Sequence, residues 1–212
     1  SSDVCSSDLV AEALTQQGYA VVIPDYRKYP DVNFNEIMMD ARDAVLWMIK
    51  NGQEYGIENK PLFLMGHSAG AHIAATLVTN KSHLNQSISK INGFIGLAGP
   101  YDFYPFSDDY MYQLFSPEND YFDSQPINLI SGTEPPFLLI HGENDKKVSP
   151  KNATHLSEKL NTFQVEHDLI MLEKKRHAGL LIDMARPFRK NSAVLAAINK
   201  FIEKHTKTTN PL

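Results

Sequence analysis

The segment Gly66-His67-Ser68-Ala69-Gly70 constrains this chain more than any other, because of what stands on either side of it. Upstream, Pro61-Leu62-Phe63-Leu64-Met65 is a short apolar run that reads as a buried strand. Downstream, residues 71–78 carry apolar side chains at helical spacing. A serine between a strand and a helix sits on a sharp turn, and the flanking glycines let the backbone make that turn without a Cβ clash. Such a turn lifts the Ser68 hydroxyl above the sheet edge. It also sets the Ala69 amide at a helix N-terminus, where it can stabilise an oxyanion. G-x-S-x-G alone is a weak string and also describes a plain glycine-rich turn; the strand before it and the helix after it make Ser68 a candidate nucleophile.

From Val10 onward short apolar runs alternate with longer helical patterns, which predicts a mostly parallel α/β sheet flanked by helices. Residues 10–17 read as a helix ended by Gly18, and residues 19–23 as a buried strand closed by Pro24-Asp25. A helix is expected over 35–55, strands over 91–97, 137–141 and 165–172, and helices near 151–160 and 192–205. The last strand alternates in part, which places it nearer an edge. The tail from 206 to 212 is polar and expected to fray.

In parallel sheets catalytic groups lie in loops at the strands' C-terminal ends. After the strand at 137 comes His141-Gly142-Glu143-Asn144-Asp145, and after the strand at 165 comes Arg176-His177-Ala178-Gly179. Ser68, Asp145 and His177 thus follow the chain order Ser…Asp…His, each just past its own strand. The chemistry needs these types: a neutral imidazole takes the serine proton, and a carboxylate fixes the imidazole tautomer and stabilises the imidazolium. Asp145 could instead be ordinary turn chemistry, with Glu143 the nearest rival acid, and His177 a solvated loop histidine. His67 is placed to buttress the turn, and His141 ends its strand as a structural residue. No H-E-x-x-H pattern, Cys/His cluster, EF-hand loop, G-x-G-x-x-G or P-loop occurs, so neither a catalytic metal nor a cofactor is expected.

At 212 residues and 23.9 kDa the chain is long enough for one sizeable core, with no composition break marking a second domain. A net charge of −5 and a pI near 5.9 argue against a nucleic-acid partner or an anionic membrane surface. No apolar run is long enough to span a membrane. The opening residues are anomalous: Ser-Ser-Asp recurs, and Cys5-Ser6-Ser7-Asp8-Leu9 is what the end of a common sequencing adapter encodes in frame. Residues 1–9 are therefore read as a non-native segment, with a genuine polar, disordered N-terminus as the alternative, and 10–212 as the catalytic domain. The only cysteine lies in that segment, so cysteine usage carries no information about redox compartment.

Together these residues resemble the esterase/lipase branch of the α/β-hydrolase family, including hormone-sensitive-lipase-like and feruloyl-esterase-like carboxylesterases. The likeness is carried by residues 18–30, the Gly66–Gly70 elbow, Gly96-Leu97-Ala98-Gly99-Pro100-Tyr101-Asp102, the 141–145 loop and His177-Ala178-Gly179. The resemblance implies the α/β-hydrolase fold, the triad Ser68, Asp145 and His177, and a structural pair between Asp25 and Arg27. It also implies an H-G-G-type loop, supplying further oxyanion amides, upstream of Val10. That loop is absent here, so the domain is expected to be incomplete at its N-terminus, lacking the N-terminal strands, and as written not a competent enzyme.

Between the strand at 91 and the Asp145 loop, aromatic residues crowd residues 101–122 without helical or strand period. Tyr101, Phe103, Tyr110 and Phe115 are the candidates for a substrate wall, since a long irregular insertion near a site often forms one. A hydrophobic cluster packing the loop onto the domain is the competing expectation. The reading is a serine carboxylesterase acting on a small-molecule acyl or aryl ester, with Ala69 in the oxyanion site. An arylformamidase-like amide hydrolase, a small peptidase and a non-catalytic binding module are the rivals.

Overall fold

A computed structural model describes residues 2–115 and 121–206, with side chains from residue 7 onward. The side chain of Cys5 and residues 207–212 of the expected tail lie outside the described residues. Four strands form one parallel sheet in the order β1 (Leu62–His67), β2 (Ile91–Leu97), β3 (Phe137–Gly142), β4 (His167–Leu172). Among the described residues eight α-helices accompany it: α1 (Ser2–Thr15), α2 (Phe34–Asn51), α3 (Ala69–Thr79), α4 (Lys81–Leu84), α5 (Asp109–Leu114), α6 (Lys151–Thr162), α7 (Gly179–Met184) and α8 (Ala193–Thr206). None is long and apolar enough to cross a membrane.

The strands are apolar on both faces because both are covered. Phe94, Phe137 and Leu139 point into a core shared with α2, α3 and α6. Their neighbours Ile95, Leu97, Leu138 and Ile140 point into a second core with α1, α7 and α8. Helix α2 starts where Asn33 accepts from the Glu36 amide while the Glu36 carboxylate accepts from the Asn33 amide, a reciprocal cap. The turn after α1 closes at Gly18, whose φ of 89° favours a residue without a Cβ. This helix runs back through the anomalous opening residues as far as Ser2.

Two expectations fail. Residues 19–23 form no strand, and Val22 and Ile23 are about half exposed. An apolar run becomes a strand only when a neighbour completes its ladder, and among the described residues none pairs with it. Asp25 and Arg27 do not pair either. Arg27 grips Asp40 on α2 through two guanidinium bonds of 2.9 and 2.8 Å and a backbone bond of 3.0 Å, and these hold the Asp40 carboxyl well below the usual range. Asp25 instead accepts the amide of Tyr26.

Candidate active site

The strand register brings the loops together. His67 aligns with Leu97, Leu97 with Ile140, and Gly142 with Leu172, so β1, β3 and β4 end at one edge of the sheet. Ser68 continues β1, its amide donating to Leu97 O at 2.9 Å, and the chain then turns directly into α3. The turn is made at φ 55°, ψ −122°, a conformation that costs a non-glycine residue about 1–3 kcal/mol. Gly66 is what permits it: a Cβ there would lie 2.2 Å from Gly70 O and 2.4 Å from Ala71 N. Gly70, by contrast, has open space where its Cβ would fall, so only one of the two glycines is sterically required. Ala69 opens α3 and is exposed, and its amide belongs to the first turn, whose N–H groups no helix satisfies internally.

The loops after β3 and β4 are laced to each other. Glu143 N donates to Leu172 O and Asn144 N to Lys175 O, both at 3.0 Å. This fixes Asp145 against His177, whose Nδ1 lies 2.7 Å from Asp145 Oδ2. The other carboxylate oxygen, Oδ1, accepts the amides of Lys147 (2.8 Å) and Val148 (3.0 Å). Burial works against ionisation of Asp145, but the Val148 amide, the His177 imidazole and the Lys147 amide outweigh it and hold the carboxyl below its ordinary range. Glu143, the rival acid, is exposed.

Because Nδ1 of His177 faces a carboxylate, its proton sits there and Nε2 carries the lone pair. That Nε2 is buried and makes no hydrogen bond in this structure, to Ser68 Oγ or to any other group. A basic nitrogen held this way can accept a proton from a hydroxyl. The residue adjacent to Ser68 reaches across to the β4 loop: His67 Nε2 lies 3.1 Å from His177 O, and the two rings sit 4.6 Å apart. Burial lowers the pKa of His67, so it donates to that carbonyl as a neutral imidazole. The sequence marked His67 as a buttress; what it did not show is that the contact goes to His177.

The aromatic segment does not form the expected wall throughout. Tyr101 is 1% exposed, stacked edge-on to Phe94, with its hydroxyl packed where a Cβ on Gly96 would fall. Phe115 is 7% exposed and packs against Phe34, Phe103 and Phe106. Both are core residues. The apolar energy of burying a ring there outweighs exposing it at a rim. Phe103 is half-buried in the same cluster, and Tyr110 is exposed. Phe115 also lines a cavity of about 200 Å³ with Thr76 and Asn80. Those residues lie eight and twelve positions along from Ser68, about 12–18 Å by helical rise, so this cavity is remote from the serine. Among the described residues no group of three or more His, Cys, Asp or Glu side chains could hold a metal ion.

Residues 2–160, well over half the chain, match the BD-FAE family. A probable isoprenylcysteine alpha-carbonyl methylesterase of Arabidopsis thaliana is 26% identical over 200 residues, covering 82% of this chain and 42% of that protein. LipM of Mycobacterium tuberculosis, a probable carboxylic ester hydrolase, is 26% identical over 196 residues, covering 82% of this chain and 45% of that protein. The chain spans about half the length of the curated relatives it matches. Among solved structures, a sugar hydrolase (YeeB) of Lactococcus lactis superposes with a TM-score of 0.78 at 21% identity, covering 96% of this chain and 83% of that one. Carboxyl esterase 2 of Tuber melanosporum superposes with a TM-score of 0.73 at 18% identity, covering 95% and 72%. The sheet order, the turn at Ser68 and these similarities agree: the chain has the α/β-hydrolase fold and belongs to the BD-FAE family.

Proposed function

We propose that this chain carries the catalytic centre of a serine carboxylesterase that hydrolyses small acyl or aryl esters through an acyl-enzyme on Ser68. The observation that supports it most is the 2.7 Å contact from His177 Nδ1 to Asp145, which leaves Nε2 an unpaired base at the sheet edge where Ser68 turns. The names of the relatives, carboxylic ester hydrolases and methylesterases, favour an ester over an amide substrate.

In this mechanism Ser68 Oγ attacks the ester carbonyl as its proton passes to His177 Nε2. Charge developing on the carbonyl oxygen meets the Ala69 amide at the N-terminus of α3, where the first-turn N–H groups and the helix dipole both favour an anion. Asp145, kept ionised by its two backbone donors, stabilises the imidazolium and holds the Nδ1–H tautomer. The imidazolium then protonates the departing alcohol, and a water activated by the same nitrogen releases the acid.

Of the four candidate wall residues, Tyr110 is the exposed one, and its exposure leaves it free to touch substrate. The test is turnover of short acyl aryl esters by the full-length protein. Ser68→Ala and His177→Ala abolish it, and Asp145→Asn lowers kcat by about 10⁴-fold, the usual effect of misorienting a triad histidine. Near-normal turnover of Asp145→Asn would show that the acid is misassigned.

A further inference from the structure

His141, the penultimate residue of β3, is completely buried, and its Nε2 lies between two oxygens: Val148 O at 3.1 Å and Asp145 Oδ2 at 3.3 Å. Both oxygens are acceptors only, so Nε2 must carry the proton; it donates to Val148 O and turns its positive edge to Asp145 Oδ2. Its other nitrogen, Nδ1, is buried with no partner, as a bare lone pair can be. We propose that His141 is a positioning residue that holds the Asp145 carboxylate in place for His177, an inference that rests on the reading of Asp145 and His177 as the acid and base of the reaction.

A carboxylate has about four acceptor positions, and here three take hydrogen bonds while His141 approaches the fourth. Oδ1 takes the Lys147 and Val148 amides; Oδ2 takes the His177 imidazole at 2.7 Å and has the His141 N–H 3.3 Å away. Without His141, only His177 would stand against Oδ2. That is the group whose position the carboxylate must define, and it changes charge at every turnover. A second donor anchored in the strand removes this circularity.

The donor also has to keep its own charge state while its neighbour cycles. The ionisable groups facing the cluster are Asp145 and His177, His67 on β1, and Lys147 in the Asp145 turn. Burial is the main influence on His141 and lowers its pKa, and His177 adds to the lowering, while the Val148 carbonyl and Asp145 oppose it. A second proton would also have to sit on Nδ1, buried without an acceptor, which is costly. His141 therefore remains a neutral donor throughout the cycle. A glutamine could supply the same N–H; a leucine of similar size could not.

The experiment compares His141→Leu and His141→Gln in the full-length protein, with three readouts. Ester turnover should fall in His141→Leu by on the order of 10–100-fold in kcat with KM little changed, the scale of a small misplacement of a catalytic group. His141→Gln should recover most of that loss. Equal kcat in the two variants, or a loss that follows melting temperature instead of the N–H donor, overturns the proposal. The second readout is the far-downfield proton of the His177–Asp145 hydrogen bond by NMR, which needs no turnover. It should move in His141→Leu and stay in place in His141→Gln, and an unmoved resonance in both contradicts the proposal. The third, on the unmodified protein, is the ¹⁵N signature of His141: the neutral Nε2–H form supports the proposal, and a charged or Nδ1–H imidazole at neutral pH refutes it even if His141→Leu does not fold. Absence of turnover in the unmodified protein would instead count against the esterase reading, with the two NMR readouts still deciding the role of His141.

Discussion

His72 makes the stability of this fold depend on pH in a way that can be isolated. It lies on α3, 4% exposed, ringed by Phe34, Phe103 and Phe115 with ring centroids 5.2 to 5.7 Å away. Its Nε2 donates to Ser124 O at 2.7 Å, which ties the irregular segment to the helix. Burial pushes its pKa from 6.5 down to about 4, against a smaller upward pull from the Ser124 carbonyl. A folded-state value below the unfolded one means that the unfolded chain binds the extra proton first. The stabilisation is therefore complete above pH 6.5, is lost as pH falls from there toward 4, and changes little below. Carried into free energy, that depression is worth about 3 kcal/mol where only the unfolded chain is protonated. That is a large part of the ~5–15 kcal/mol that holds a domain together.

The perturbation is His72→Gln, which keeps an N–H for Ser124 but cannot titrate. Urea unfolding followed by circular dichroism at about pH 7.5 and about pH 4.5 gives the difference between the two proteins at each pH. Other buried groups, His67, His141 and Asp145 among them, titrate in both proteins and cancel in the difference. The advantage of the unmodified protein should shrink, or reverse, by about 2–3 kcal/mol between the two conditions. A difference that stays constant within about 0.5 kcal/mol would refute the reasoning, because it would mean that His72 titrates alike folded and unfolded.

Gly66→Ala places a Cβ against the backbone of Gly70 and Ala71, so its cost should reach or exceed the upper end of the ~1–3 kcal/mol typical of overpacking. Gly70→Ala meets open space and should be neutral or stabilising by up to ~1 kcal/mol; melting temperatures of the two variants check the contrast. Phe115→Ala should destabilise by about 3–5 kcal/mol, as buried aromatic truncations do, and equally for every substrate. Tyr110→Ala should leave the melting temperature nearly unchanged while shifting kcat/KM between short and bulky esters; a uniform loss on all esters would remove Tyr110 from the substrate path.

The four paired strands were legible because each is a short, mainly apolar run bounded by turn residues, with β4 alternating in part as an edge strand does. Residues 19–23 carry the same local pattern without becoming a strand, because the ladder that defines a strand lies outside the segment itself. Arg27 shows a similar limit. The nearby Asp25 looked like its partner, whereas the folded chain offers Asp40, thirteen residues on, presented by α2. The order of Ser68, Asp145 and His177 could be read because parallel sheets gather strand ends at one edge. The division of the aromatic segment could not. Tyr110 lies on α5 and Phe115 caps it, so which of the two is buried depends on how that short helix is set against the core, and composition is blind to that. The contact of His141 with Asp145 left one trace, the four-residue spacing across the end of β3, which gains meaning only once the turn is seen to fold back.

The central claim is that Ser68 is the nucleophile, and covalent trapping tests it most directly. Full-length protein is treated with a fluorophosphonate ester, digested, and mapped by mass spectrometry. The account predicts one phosphonylated residue, Ser68, absent in Ser68→Ala and formed far more slowly in His177→Ala. Ester hydrolysis continuing with Ser68 unmodified, or an adduct on a different residue, would contradict it.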